Sequence, residues 1–116
     1  MSQPHNVSSK YAVDTPVGKV FTLFRSSRGN KRHNVVKKDQ LIRIVKNKKV
    51  LASGYALEDA KVHQFSNLPE KYIVESYVEK ARTPDMLFQV LKKMYEKLAG
   101  YERDTPTVVI RVRRDS

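Results

Sequence analysis

The chain has 116 residues, of which 40% are apolar and 30% charged, with a formal net charge of +11. That length suits one domain with a modest core. The absence of cysteine excludes disulfides, thiolate nucleophiles and cysteine-ligated zinc, and no apolar run approaches the roughly 20 residues that span a bilayer.

Residues 1–13 are mostly polar and read as a flexible N-terminal arm, ahead of a single domain over 14–116. The opening "MSQPHNVSSK" has no apolar core of the signal-peptide kind, so the expected location is cytoplasmic. "DTPVGK" reads as a turn, and "KVFTLFR" (19–25) as a strand. "SSRGNKRHN" (26–34) has no period and reads as a loop. "QLIRIVK" (40–46) puts Ile42 and Ile44 on one face of a strand and Leu41, Arg43 and Val45 on the other. A tight turn at 47–49 follows. Residues 50–65 read as one long strand or two short ones, with Gly54 marking a bulge or a close backbone approach.

The pattern then changes period. "SNLPEKYIVESY" (66–77) suits a short helix. "TPDMLFQVLKKMYEKLAG" (83–100) carries the strongest helical signal. Thr83 can cap it, Pro84 stands at the first helical position and Asp85 faces the positive end of the dipole. Leu87, Val90, Leu91, Met94, Tyr95 and Leu98 form its apolar stripe, and Gly100 can end it. "TPTVVIRVRR" (105–114) is a strand with Val108, Ile110 and Val112 on one face and Thr107, Val109, Arg111 and Arg113 on the other. The expected class is α+β. A small, partly closed β-barrel of five or six strands would carry two or three packed helices.

Charge is concentrated. Arg25, Arg28, Lys31, Arg32, Lys37, Lys38, Arg43, Lys46, Lys48 and Lys49 stand against a single acid, Asp39, in residues 25–49. A field so localised calls for an anionic partner. Arg28, Lys31 and Arg32, with Arg25, read as a phosphate clamp on the loop after the first strand. Lys46, Lys48 and Lys49 read either as part of that surface or as edge protection. Arg111 and Arg113 either line a groove or point outward. Phe21, Phe24, Tyr55 and Tyr72 could stack on bases. Phe21 and Phe24 suit the core better, and Tyr55, beside Gly54, is the preferred platform. His5, His33 and His63 show no ligand spacing, so no metal or cofactor is expected.

The run "KKDQLIRIVKNKKVLASGYALEDAKVHQFSNL" resembles the middle of an ASCH domain, a branch of the PUA-like barrels. Lys38-Asp39 stands at the family's "GD" position, Gly54 at its small-residue site, and Phe65 and Leu68 close the segment. "TPDMLFQVLKKMY" and "DTPTVVIRV" resemble its later helix and final strand. The family's N-terminal pattern, G-x-K-x-x-E/T-x-R, is met only in part by "GKVFTLFR". Lys19 and Thr22 keep their spacing, while Gly18 is one residue too near and Arg25 one too far. In one branch of the family, which removes an acetyl group from a modified cytidine, a Lys, a Thr and a Glu carry the chemistry. The resemblance maps that set to Lys19, Thr22 and Glu75. Lys19 and Thr22 have opposite parity on a regular strand, so a bulge would be needed to unite them. The plain alternative is an ordinary strand threonine beside a solvated lysine.

The expected function is therefore nucleic-acid binding by an ASCH/PUA-like domain. RNA is the first partner and DNA the second, and no membrane is involved. A hydrolase or ribonuclease of the same fold, and a small basic adaptor for an acidic protein, are the alternatives. The oligomeric state is left open.

Overall fold

Apolar alternation in the last strand decides the architecture, because that strand pairs with three others. The computed structural model describes residues 3–8, 19–29 and 31–115, the side chain of Glu79 excepted. In chain order they form β1 (His5–Ser8), β2 (Val20–Ser26), β3 (Leu41–Lys46), β4 (Lys49–Ala56), β5 (Lys61–Gln64), α1 (Glu70–Ile73), α2 (Pro84–Tyr95) and β6 (Pro106–Arg114). Short 3-10 turns occupy Arg32–Val35, Phe65–Asn67 and Glu79–Ala81.

The strands make one six-stranded mixed sheet in the order β1-β3-β4-β6-β2, with β5 also on β6. β6 runs antiparallel to β2, β4 and β5, and β1 runs parallel to β3. The sheet curls without closing, since β1 and β2 lie at opposite ends of that order. Its inner face gathers Val7, Phe21, Leu23, Ile42, Ile44, Ala52, Ala56, Val108, Ile110 and Val112. The other face of β2 and β6 presents Phe24 and Val109 to a second cluster with Phe65, Leu68, Tyr72, Leu87, Phe88, Leu91 and Tyr101. β2 and β6 are thus buried on both faces, which explains their near-continuous apolar sequences.

Thr83 caps α2, accepting a hydrogen bond from Met86 N at 3.3 Å. The helix ends at Tyr95, earlier than the apolar stripe predicts, and Leu98 lies beyond it, 74% exposed. Gly100 takes φ +76° and donates to Tyr95 O, so the chain turns back toward β6.

The N-terminal expectation needs correction. Residues 5–8 of the predicted arm are a sheet strand, with Val7 fully buried. Of the rest of that arm, Met1, Ser2 and residues 9–13 lie outside the described residues. Among the described residues, no helix is long and apolar enough to cross a membrane.

Candidate nucleic-acid interface

Two backbone devices shape the β3–β4 end of the sheet. The first is the turn. Asn47 and Lys48 both adopt positive φ (52° and 67°), as a two-residue type I′ hairpin requires. Lys46 and Lys49 then face each other across the strands, with Lys48 at the tip. The second is Gly54. A Cβ there would overlap the Arg113 carbonyl oxygen and sit 2.6 Å from Val112 Cγ1. Only glycine lets β6 approach β4 this closely, as the sequence suggests. The expected bulge also exists, but elsewhere in the hairpin. The register shifts between Ile44 and Val45, which leaves Leu51 as the extra residue on β4.

The register sets a row across the outer face. Leu41 pairs with Tyr55, Tyr55 with Arg113, and Arg113 with Val20. Arg43, opposite Ser53, lies on the same face one step nearer the hairpin. Tyr55 is 41% exposed, and Arg113 is exposed. Asp115 lies at this end too, its backbone N–H donating to Ser53 O.

The cations of the β2–β3 connection are engaged differently. Arg25 donates to Phe24 O (2.6 Å) and Ser8 O (2.9 Å), tying β2 across the opening of the sheet to β1. Burial lowers its pKa from the ordinary value, though a guanidinium stays charged. Arg32 donates to Asn6 O at 2.5 Å. Arg28 lies 3.8 Å from Asp104, and Lys37 3.9 Å from Asp59. The Lys38 backbone N–H donates to Asp59 Oδ1, and Lys31 is exposed. The ten cations of 25–49 are therefore not gathered on one face. β3 separates the connection from the hairpin by its whole length, roughly 20 Å.

A pair of histidines joins β1 to the connection. His5 Nε2 and His33 Nδ1 are 2.7 Å apart and both rings are buried. Burial, aided by Arg25, His5 and Arg32, pushes His33 down to about 3, and burial and Arg32 also lower His5. Their separation of 28 positions leaves no sequence signal.

The resemblance-derived set is brought together only in part. The chain after α1 runs along the edge of β2, so Thr22 N–H donates to Glu75 O (2.8 Å) and Tyr77 N–H to Thr22 O (2.9 Å). Thr22 is fully buried, and its hydroxyl has no hydrogen-bond partner among the described residues. Lys19 sits exposed at the head of β2, its carbonyl accepting from Arg114 N–H. No bulge in β2 changes the parity, because its register with β6 is continuous. The cation beside Glu75 is instead Arg111, opposite Thr22, with Nη2 3.2 Å from Glu75 Oε2 and its guanidinium 5.3 Å from the Tyr72 ring centre. Arg111 and Arg113 share a face, yet only Arg113 is open. A cavity of about 20 Å³ lies between Thr22, Ser76 and Leu87, Leu91 and Met94. It has room for about one water and none for a nucleoside. Phe21, Phe24 and Tyr72 are core residues.

Comparison with protein-family models, curated proteins and solved structures finds no match to this chain.

Proposed function

We propose that the chain is an ASCH/PUA-like domain that binds nucleic acid, RNA before DNA, along its β3–β4 hairpin. The reading is carried by one observation. The β3–β4 hairpin carries Lys46, Lys48 and Lys49 at its turn and Arg43 and Tyr55 on its outer face, where Arg113 pairs with Tyr55. The curled sheet suits a partly closed barrel, and the apolar face of α2 is spent on packing, which argues against a major-groove helix. A charge-dominated interface of this kind has a steep salt dependence.

The test is a salt series of RNA binding, read by fluorescence anisotropy. Lys48→Glu with Lys49→Glu lowers affinity and flattens the slope, whereas Arg28→Glu, on the far side, leaves the slope nearly unchanged. Equal losses in both variants, or flat binding at low salt, would remove the assignment.

A second reading, a hydrolase acting on a modified nucleoside, has one observation in its favour: Thr22, whose hydroxyl has no partner among the described residues, is joined through its backbone N–H to Glu75 O. Full burial of Thr22 and the remote Lys19 make it the weaker of the two. Release of acetate from acetylated cytidine that disappears in Thr22→Val would reverse that order.

A further inference from the structure

We propose that Tyr55, framed by Leu41 and Arg113, is a stacking platform for one unpaired base of single-stranded RNA. This deepens the nucleic-acid reading above and rests on it.

Tyr55 is the outlier among the aromatic residues. Phe21, Phe24, Phe65, Phe88, Tyr72, Tyr77 and Tyr101 are all at most 7% exposed, and Tyr95 is half-buried with its hydroxyl accepting from Ser26 N–H. Among the described residues, Tyr55 alone offers a ring to solvent to the extent of 41%. Its position is built rather than incidental. Cross-strand neighbours stand about 5 Å apart at Cβ, so Leu41 and Arg113 flank the ring on either side. Gly54, the adjacent residue, fixes the approach of β6 that brings Arg113 there. A platform on paired strands is held more rigidly than one on a loop.

The surroundings select the occupant. Arg43 and Arg113 share the face, and neither takes part in the ion pairs of the described residues. With exposed Lys48 at the tip of the same hairpin, this positive surface complements phosphate and repels a second copy of the same chain. A base offers its flat face to an aromatic ring only when it is unpaired. The side chains of a sheet face cannot read the deep, narrow major groove of an RNA duplex. Arg113 can add a guanidinium to the stack or bond the flanking phosphate.

The experiment compares a short oligouridylate, the same oligomer with one abasic position, and an RNA duplex of equal length. Each is titrated into the wild type, Tyr55→Phe, Tyr55→Ala and the Lys48→Glu/Lys49→Glu double variant. The proposal expects the single strand to bind more tightly than the duplex. Tyr55→Ala should lose about 5- to 150-fold while keeping the salt slope, and Tyr55→Phe should stay close to wild type. Scanning the abasic position should find a site that weakens the wild type but not Tyr55→Ala. An unchanged melting temperature shows that Tyr55→Ala is folded, and the abasic scan on wild-type protein tests the stack even if it is not. Should Tyr55→Ala bind like wild type while the lysine variant fails, stacking is overturned and nucleic-acid binding stands. Failure of the wild type to bind any of the three RNAs overturns both. Self-association lost in Tyr55→Ala, with RNA affinity intact, assigns the face to a second copy and overturns the platform.

Discussion

The β2–β3 connection and the β3–β4 hairpin are both rich in lysine and arginine, and the structure uses them in opposite ways. In the connection, Arg25 and Arg32 point at backbone carbonyls of β1, and Arg28 and Lys37 face acids from distant segments. These cations bind the molecule to itself. In the hairpin, Lys48 and Lys49 are exposed, and on its outer face the row of β4 and β6 keeps Arg113 exposed. Positive charge counted along a sequence is thus not the same as positive charge available to a ligand. Availability depends on which carbonyls and carboxylates the fold brings alongside.

The sharpest way to separate the two regions is acid. His5 and His33 hold their neutral forms in the folded protein, with His33 down at about 3. A histidine whose folded pKa lies below its unfolded value of about 6.5 costs stability as pH falls below 6.5. For His33 that loss grows by up to about 1.4 kcal/mol per pH unit until its folded pKa near 3. The result should be local. Protection factors of the Asn6 and Val7 amides in β1, with intrinsic exchange rates divided out, should fall between pH 6 and 4, ahead of those in the β4–β6 pairing. A uniform fall across the sheet, or an acid sensitivity that survives His33→Phe, would break the contrast.

The next effect belongs to the hairpin side and owes nothing to charge. Gly54→Ala should cost about 2–3 kcal/mol in denaturant unfolding, because the added methyl meets backbone as well as Val112. Arg25→Ala should cost about 2 kcal/mol by leaving two carbonyls without their charged donor, with the salt slope of RNA binding unchanged. The smallest effect has mixed signs. Lys48→Gly relieves a left-handed backbone and should add about 1 kcal/mol of stability, yet flatten the slope of single-strand binding by about 0.7. If Arg25→Ala flattened the slope and Lys48→Gly did not, the roles of the two regions would be exchanged.

Much of the fold was legible because its signals are local. Alternation in "QLIRIVK" and "TPTVVIRVRR", the Thr83 cap and the small residue at Gly54 each act on their own neighbourhood, and each structural element appears close to where those residues place it. β1 was missed because "HNVS" contains one apolar residue, and its burial depends on a histidine partner far along the chain. The premature end of α2 was missed because Leu98 keeps the apolar spacing after the helix has stopped. At the candidate site, Tyr55 and the hairpin lysines could be picked out from residue type. The commitment of Arg25, Arg32 and Arg111 could not, since their partners are carbonyls and a carboxylate supplied by tertiary structure.

The place of β6 has a consequence for how the chain reaches this state. It follows every strand it pairs with, and its longest ladder joins it to β2, near the other end of the described chain. Until it is synthesised, Phe21, Leu23 and Phe24 have no sheet partner, and α1 and α2 have no β6 to cover. Hairpin β3–β4 can form early, but the core must wait for a contact of high sequence separation, which makes folding slow and the waiting β2 a point of vulnerability to aggregation.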